Sequence, residues 1–569
     1  MKIATGENEL ETEDNWLGHC RTYIGYLLRM VVYAYLIAIA CMLPFYFVIE
    51  TGYKEIGSNK SAFFRKWGLG AIMILAIVFL IYIVFAFLCW LRSNCRTKKK
   101  FVTLCNLFFD TLSITDIFAI IYLMALGLSY YYTNYPESAF LGAPGWYMGF
   151  IPQLVLVGSY FAVSRLVLQK EVKWITAALL VVSFAIFTLG VLNRYGINPL
   201  GMESCGPGFI STIGNINWYC GYWSVLFPIG AGAYLFYKKG WSVIKLTLGI
   251  YVAMGFATGV TQGSDSGILV IIALILLLGC LCGKEEYRVH NYLQILLLFC
   301  GTTILLYLIQ KLWPDQNEYI TDFNTMLTGT ALPFITGLLV LGCYILLTRK
   351  AIATVLCGFF EKVWVIITGL TLLSLLTFAV LLCLNSLRPG SIGSLSENPL
   401  FIFNADWASS RGATWTAGVK TWLSNNILHK ILGVGPDSMA GYIYNGPDAA
   451  LLEEVKAVFG QNRLTNAHGE WITILANLGI LGLIGFGGMM VSAIIRFIKG
   501  SNSNPLCAAF GISLFCYTIH NIFSFQQTMN VTQMFIILAL GECLRRQKSR
   551  QQNVVRTEDF TVVSSESGH

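Results

Sequence analysis

Long apolar segments recur from residue 24 to residue 544, and the intervening polar stretches are mostly short. About 20 consecutive apolar residues cross the hydrocarbon core of a bilayer as one helix. Only 12% of the residues are charged, whereas a soluble domain carries about 25%. We therefore predict an all-α polytopic membrane protein with about 12–14 transmembrane helices. The fourteen runs lie near residues 24–49, 68–91, 107–130, 146–168, 174–193, 218–237, 241–262, 267–283, 291–312, 331–347, 363–384, 470–495, 505–525 and 530–544.

Basic residues follow every even-numbered run, in seven separate clusters. Because Lys and Arg concentrate in cytoplasmic loops, these clusters predict that both chain termini are cytoplasmic. The N-terminal residues are acidic and polar and do not resemble a cleavable signal peptide, so the first run is expected to be retained. The clusters are Arg92 to Lys100, Lys170 with Lys173, Lys238 with Lys239, Lys284 with Arg288, Arg349 with Lys350, Arg496 with Lys499, and Arg545 to Arg550.

This topology divides the chain into a membrane bundle and one large loop that faces outward. We predict a cytoplasmic tail at 1–23, membrane spans 1–11 at 24–384, and a large extracytoplasmic loop at 385–469. Spans 12–14 follow at 470–544, with a second cytoplasmic tail at 545–569. A long polar insert over a lean bundle is where function most often lies.

Charge and cysteine usage argue against two other classes of function. The net charge of +8 resides mainly in the short loop clusters, as topology signals do, so nucleic acid is not an expected partner. The 16 cysteines include no Cys-x-x-Cys pair, and no metal site is predicted. Cys205 and Cys220 both lie near the outer surface, and a disulfide between them is one alternative that the sequence leaves open.

The large loop contains three elements that could carry chemistry. His468 ends the loop and precedes the twelfth span, where a histidine could accept a proton or serve only as a helix-entry residue. Arg411 could bind a phosphate in forked geometry or simply be solvated. Gly433 and Gly435 would allow a sharp turn or close backbone packing.

Three further elements lie outside the large loop. Asn215 and Asn217 open the sixth span, where asparagine commonly caps a helix. The sequence Ser264-Asp265-Ser266-Gly267 joins spans seven and eight, and an acidic residue there is either a cap or functional. His520, in span thirteen, could face a groove or be hydrogen-bonded inside the bundle.

The order of these elements resembles the O-antigen ligase and polymerase superfamily of bacterial membrane glycosyltransferases. The order is G-N-x-N, a Ser/Gly-rich turn, and a large loop with R-x-x-x-W, G-x-G-P and A-H before L-x-x-L-G-x-L-G-L. The similarity covers roughly residues 195–540 and is sharpest over 411–483. It implies a GT-C-like helical bundle in the bacterial cytoplasmic membrane.

The resemblance also implies a reaction and its participants. A glycan on undecaprenyl pyrophosphate would be transferred to an acceptor hydroxyl at the outer face, in cell-surface polysaccharide biosynthesis, without metal or other cofactor. His468 matches the histidine thought to activate the acceptor, and Arg411 matches a pyrophosphate-binding arginine. Gly433, Gly435, Asn215 and Asn217 would line the substrate site. Expected partners are the lipid-linked donor, a glycan or lipid acceptor, membrane lipids and polysaccharide export machinery.

The chain departs from the family pattern where other members carry arginines. Gly206-Pro207-Gly208-Phe209 stands where an arginine usually precedes G-N-x-N, and Asp265 stands where Ser-Arg-Gly is common. Asn477 and Gly469 also replace residues usual in the family, Glu and Asn respectively. Arg388, Arg463 and Arg194 all face outward in the predicted topology, so they are the candidates to bind pyrophosphate in place of the missing arginines.

Two other classes of function stay open at this point. A transporter or flippase for lipid-linked glycan would also need many spans, but the chain has no internal repeat and few charges in mid-span. A membrane sensor or scaffold would be expected to carry a folded cytoplasmic domain, and the sequence offers none. Ligase and polymerase activities are not separable from the sequence.

Overall fold

The computed structural model describes residues 23–92, 112–202, 208–314 and 320–546. Almost all of the regular structure is helical. The predicted tails at 1–23 and 545–569 fall mostly outside the described residues, as do Cys205 and the first residues of the predicted run 107–130. The chain is an all-α polytopic membrane protein.

Each of the fourteen predicted runs contains a helix. In chain order the helices are α1 (Tyr23–Phe45), α2 (56–92), α3 (Ile114–Tyr131), α4 (Pro136–Leu141), α5 (Phe150–Leu166), α6 (Gln169–Arg194), α7 (Ile216–Leu235), α8 (Val243–Thr261), α9 (Asp265–Cys282), α10 (Glu286–Leu312), α11 (Asp322–Thr328), α12 (Leu332–Leu347), α13 (Lys350–Leu387), α14 (Trp407–Leu423), α15 (Ile427–Leu432), α16 (Met439–Asn445), α17 (Ala449–Phe459), α18 (Glu470–Ile498), α19 (Pro505–His520) and α20 (528–546).

Within the described ranges, nine helices are long and apolar enough to cross a membrane. The bent pair α11 and α12 would make a tenth span if the two form one crossing. The helices α5, α7, α19 and α20 occupy the other four predicted runs without meeting that criterion. The count of fourteen crossings therefore stays a prediction.

The centre of the bundle is α7, whose residues from Tyr219 to Leu235 are almost all buried. It packs against α8 and α19, and α18 packs against α3 and α19. Small residues permit these close contacts. A Cβ on Gly232 of α7 would lie 3.0 Å from the backbone of Ala509 in α19. Just before α7, a short antiparallel hairpin pairs Phe209–Ile210 with Gly214–Asn215.

One end of the bundle is joined by a buried ionic cluster. Arg546 of α20 pairs with Asp116 of α3 at 2.5 Å, and Arg496 of α18 pairs with Glu542 of α20 at 2.7 Å. Arg165 of α5 lies 3.7 Å from Asp116. The four helix ends that meet here are ends that the charge pattern predicts on one side of the membrane. Which side faces the cytoplasm stays a prediction.

The predicted large loop, 385–469, folds into a cap of short helices on the opposite end of α18. It comprises two 3₁₀ turns, Gly393–Glu397 and Pro399–Phe401, followed by α14 to α17. Helices α14 and α15 both pack against α18. This cap brings the residues singled out in the sequence close to the start of α18.

Candidate active site

His468 sits in a strained turn just before α18. Its backbone is left-handed, with φ of 48°, a conformation that costs most L residues about 1 kcal/mol or more. The turn is fixed from both sides. The Thr414 hydroxyl donates to the carbonyl of Ala467 at 2.8 Å, and the His468 N–H donates to Asn466 Oδ1 at 2.9 Å. The half-buried imidazole meets the edge of the Phe525 ring, with centroids 4.9 Å apart.

Arg411 lies in the first turn of α14, over an aromatic side chain near that of His468. Its Nε donates to the carbonyl of Phe523 at 3.1 Å, and its guanidinium lies 5.8 Å from the Phe523 ring. Its Nη1 donates to the carbonyl of Ala408 at 2.8 Å. The residues Ala408, Ser409 and Ser410 all have positive φ. Strain of this kind clusters at functional sites, because the surrounding structure must hold it in place.

Burial sets the protonation state of His468. The loss of hydration and, as the smaller cause, the nearby positive charge of Arg411 together lower its pKa to about 4. An imidazole with this pKa is neutral at pH 7. A neutral imidazole has a free nitrogen lone pair and can accept a proton.

The segment 521–527 holds the two aromatic residues in position. The sequence predicts a span at 505–525, but α19 ends at His520 and the chain then turns irregularly around Glu470. The Glu470 N–H donates to the carbonyls of Asn521 and Ser524, at 2.9 and 2.8 Å. Its Oε2 accepts from the N–H of Gln526 at 2.8 Å. These bonds fix Phe523 beneath Arg411 and Phe525 beside His468.

His520 belongs to a polar layer inside the bundle. Its Nδ1 is 3.0 Å from the Ser266 hydroxyl, and Ser266 lies 3.5 Å from the Cys220 sulfur. The Ser264 hydroxyl donates to Asn217 Oδ1 at 2.7 Å. Asn217 thus ties the start of α7 to the turn before α9. Cys220 is buried here, and its pairing with Cys205 stays a prediction because Cys205 lies outside the described residues.

Asn215 has the capping role that its position predicts. Its Oδ1 accepts from the N–H of Asn217 at 2.9 Å, at the first turn of α7. A contact with substrate, for either asparagine, stays a prediction.

Gly433 and Gly435 serve a structural purpose in the described chain. Both have positive φ, of 75° and 128°. They lie on either side of Val434, where the chain pairs with a break in α18. Val434 and Gly435 donate their N–H groups to the carbonyls of Ala476 and Asn477, each at 3.0 Å. Whether the two glycines also contact substrate stays a prediction.

Asp437 is a buried carboxyl that the sequence analysis did not select. Its Oδ2 accepts from the N–H of Ala143 at 2.7 Å and from that of Met148 at 3.1 Å. Burial raises its pKa to about 7, although the two N–H bonds act in the opposite direction. It lines a cavity of about 30 Å³ together with Glu470 and Asn466. The only sequence signal was an aspartate directly after Gly435-Pro436, which also reads as an ordinary turn.

We expect Asp437→Asn and Asp437→Ala to differ sharply in stability. Asparagine keeps an oxygen acceptor for both N–H groups, whereas alanine leaves two buried donors unpaired at about 1–3 kcal/mol each. Because the folded pKa is raised, the wild type loses stability as pH rises from about 4 through 7. In thermal unfolding, the stability of the asparagine variant relative to the wild type should be higher at pH 8 than at pH 5. An equal loss in both variants would contradict this assignment.

Arg463 lies in a cleft beside the site. This cleft has a volume of about 1030 Å³ and is lined by Arg463, Arg65 and Glu137 among mainly apolar and small residues. Arg463 lies over the Tyr444 ring at 5.1 Å, and Arg65 lies over the Tyr147 ring at 5.4 Å. Trp146 also lines the cleft and packs against Phe525, the aromatic neighbour of His468.

The other two candidate arginines lie apart from this cleft. Arg388 caps the C-terminal end of α13 and is exposed, and neither cavity that flanks His468 and Arg411 includes it. Arg194 is buried at the end of α6, where its guanidinium donates to the carbonyl of Gln262. Of the arginines named from the sequence, the structure therefore brings Arg411 next to His468 and Arg463 into the adjoining cleft.

No protein-family model matches this sequence, and none of the curated proteins matches it significantly. The site itself therefore provides the evidence for function. Its components are a neutral histidine beside the Phe525 ring, an arginine over the Phe523 ring whose charge acts on that histidine, and a cationic cleft. All three lie at one end of a membrane bundle.

Proposed function

We propose that the protein is a membrane glycosyltransferase of the O-antigen ligase or polymerase type. It would transfer or polymerise a glycan from undecaprenyl pyrophosphate onto an acceptor hydroxyl, at the outer face of the bacterial cytoplasmic membrane. The observation that carries the proposal is that His468, beside Phe525, lies within reach of the positive charge of Arg411, which is fixed over Phe523. A cationic cleft opens beside them, and apolar helices surround the site.

The proposed reaction forms one bond and breaks another. The acceptor oxygen bonds to the anomeric carbon of the donor sugar, and the bond from that carbon to the pyrophosphate oxygen breaks. The pyrophosphate leaves with the electron pair, and His468 takes the proton of the acceptor hydroxyl. A histidine that is neutral at pH 7 suits this role as general base.

Fixed positive charge would stabilise the leaving group. Arg411, Arg463 and Arg65 present guanidinium groups that bind phosphate oxygens in pairs. Arg411 is held by two backbone carbonyls, so it needs little reorganisation when negative charge develops on the pyrophosphate. The lipid tail of the donor would lie among the exposed apolar side chains of the spans.

His468→Ala is expected to lower turnover about a hundredfold or more, the usual effect of losing a general base. The measurement is release of undecaprenyl pyrophosphate, with glycan transfer, by purified protein in lipid. His290→Ala is the matched control, because His290 lies in α10 and interacts with Glu286 at 3.9 Å. If both variants and the wild type are inert while lipid-linked glycan crosses the bilayer, the transporter alternative replaces this proposal.

The pH profile gives a second readout for His468. Its folded pKa of about 4 predicts that activity persists through pH 5 to 6 and falls only below that range. A solvent-exposed histidine would lose activity near its ordinary pKa of about 6.5. An acid limb centred near 6.5 would show that His468 is not the group that must be neutral.

A further inference from the structure

A separate cavity, of about 350 Å³, is lined by Asp265, a carboxylate whose charge acts on Arg411. It lies where the ends of α6 and α8 meet the starts of α7, α9 and α11. Its polar lining comes from Arg194, Ser264, Asp265, Thr321 and Asp322, and its apolar lining includes Phe323. The volume falls in the range of small-molecule sites, which are typically apolar with a few placed polar groups.

The charges that this cavity presents are mainly negative. Asp265 and Asp322 are exposed at its surface, and neither carboxylate makes a side-chain hydrogen bond within the described ranges. Arg194, whose guanidinium donates to the carbonyl of Gln262, is the one cation among the described lining residues, so one positive and two negative charges give the lining a net charge of −1. Two carboxylates with unused lone pairs accept hydrogen bonds well and repel a phosphate.

The neighbouring side chains reinforce this preference for ligands that donate. The Ser264 hydroxyl donates its proton to Asn217 and lies 2.9 Å from the Ser266 hydroxyl, so toward a ligand its oxygen can act only as an acceptor. Phe323 and the isoleucines of the lining offer apolar surface, which suits the C–H face of a sugar ring. The cavity therefore combines acceptors for several hydroxyl or ammonium groups with an apolar wall.

The cavity and the cleft have no lining residue in common, and each is linked to the site through a different residue. Asp265 is close enough to Arg411 for its negative charge to act on the guanidinium. Phe525 contacts both His468 and Trp146, and Trp146 lines the cleft that contains Arg463. The site is thus linked to the cationic cleft through Phe525 and to the anionic cavity through Arg411.

We propose that the anionic cavity binds a polyhydroxylated ligand without negative charge, a neutral sugar or an amino sugar. Resting on the proposed function, this ligand is the terminal sugar of the acceptor glycan, and the donor pyrophosphate occupies the cationic cleft. The separation keeps the anionic donor out of the acceptor position, because two carboxylates line that position.

Calorimetric titration of the full-length protein in lipid nanodiscs tests this assignment. The probes are methyl glucoside, glucosamine and glucose 1-phosphate. We expect millimolar binding of the first two and at least tenfold weaker binding of glucose 1-phosphate. Asp265→Asn and Asp322→Asn should each weaken glucosamine about tenfold if the ligand is an amino sugar, since each removes a charge-assisted bond. If the natural ligand is a neutral sugar, the two substitutions should weaken the binding of methyl glucoside and of glucosamine equally.

Glu397→Gln, in an exposed 3₁₀ turn of the cap, is the matched carboxylate control and should leave all three affinities unchanged. The inference is overturned if glucose 1-phosphate binds as well as methyl glucoside, if no sugar binds, or if both Asp variants bind like the wild type. Because the titration needs no turnover, it separates the two proposals. If the protein binds sugar but His468→Ala leaves turnover unchanged, only the proposed reaction is contradicted.

Discussion

Gly433→Ala is expected to destabilise the protein by about 2–5 kcal/mol, by pulling the cap away from α18. A Cβ at Gly433 would lie 2.2 Å from the carbonyl carbon and oxygen of Asn477 and 2.3 Å from the nitrogen of Leu478. These are backbone atoms, which no change of rotamer can move aside. The positive φ of 75° adds about 1–2 kcal/mol of conformational strain, and the overpacking adds about 1–3 kcal/mol.

Gly460→Ala separates these two contributions. Gly460 also has positive φ, of 57°, but no atom lies within 4 Å of the Cβ that alanine would add. This control should therefore lose only the conformational term, about 1–2 kcal/mol. Denaturant unfolding in mixed micelles compares the two variants directly. Equal losses would mean that the close approach of Gly433 to Asn477 contributes nothing.

The reason for this sensitivity is a break in α18. Gly479 has φ of 66° within the helix, so the carbonyls before it are released from the helical pattern. The Asn477 carbonyl accepts from Gly435 and from the Ser129 hydroxyl, the latter at 2.9 Å. Its side-chain oxygen accepts from the N–H of Met439 at 2.8 Å. The cap and the bundle are thus joined through backbone carbonyls that would accept hydrogen bonds within α18 if the helix were unbroken.

The sequence predicts the helices better than it predicts these junctions. Every apolar run that hydropathy identifies contains a helix, because apolar length is a local property of the chain. It also places His468 correctly at the entry to α18. It does not reveal the break at Gly479, since glycine and leucine alternate there within one continuous apolar run. The broken helix becomes visible only when the partner segment at Gly433 is known.

The irregular segment 521–527 and Asp437 escaped prediction for a related physical reason. Phe523 and Phe525 continue the apolar run of α19, so composition alone predicts a longer span. The N–H of Gln526 turns instead to the side chain of Glu470, a residue more than 50 positions earlier. Asp437 likewise has its hydrogen-bond partners, the N–H groups of Ala143 and Met148, in a different loop. Contacts between distant segments decide the site, and one sequence does not contain them.

Glu542→Gln is expected to cost about 3–5 kcal/mol, the usual penalty for breaking one partner out of a buried ion pair. Glu542 is fully buried, and both nitrogens of Arg496 donate to it, at 2.7 and 3.1 Å. The cluster holds three arginines and two carboxylates, a net charge of +1 from +3 and −2. Removing one carboxylate raises this to +2 around Asp116, in surroundings that hydrate the charges poorly.

The pair Lys420 and Glu454 provides the matched comparison for this effect. Its N–O distance of 2.6 Å equals that of a strong buried pair, but both side chains are about half exposed. Glu454→Gln should therefore cost less than about 1 kcal/mol. The double variant Glu542→Gln with Arg496→Met restores a net charge of +1 and should recover much of the loss in denaturant unfolding. If Glu542→Gln lowers the free energy of unfolding no more than Glu454→Gln does, burial is not the reason that this cluster stabilises the contact between α3, α5, α18 and α20.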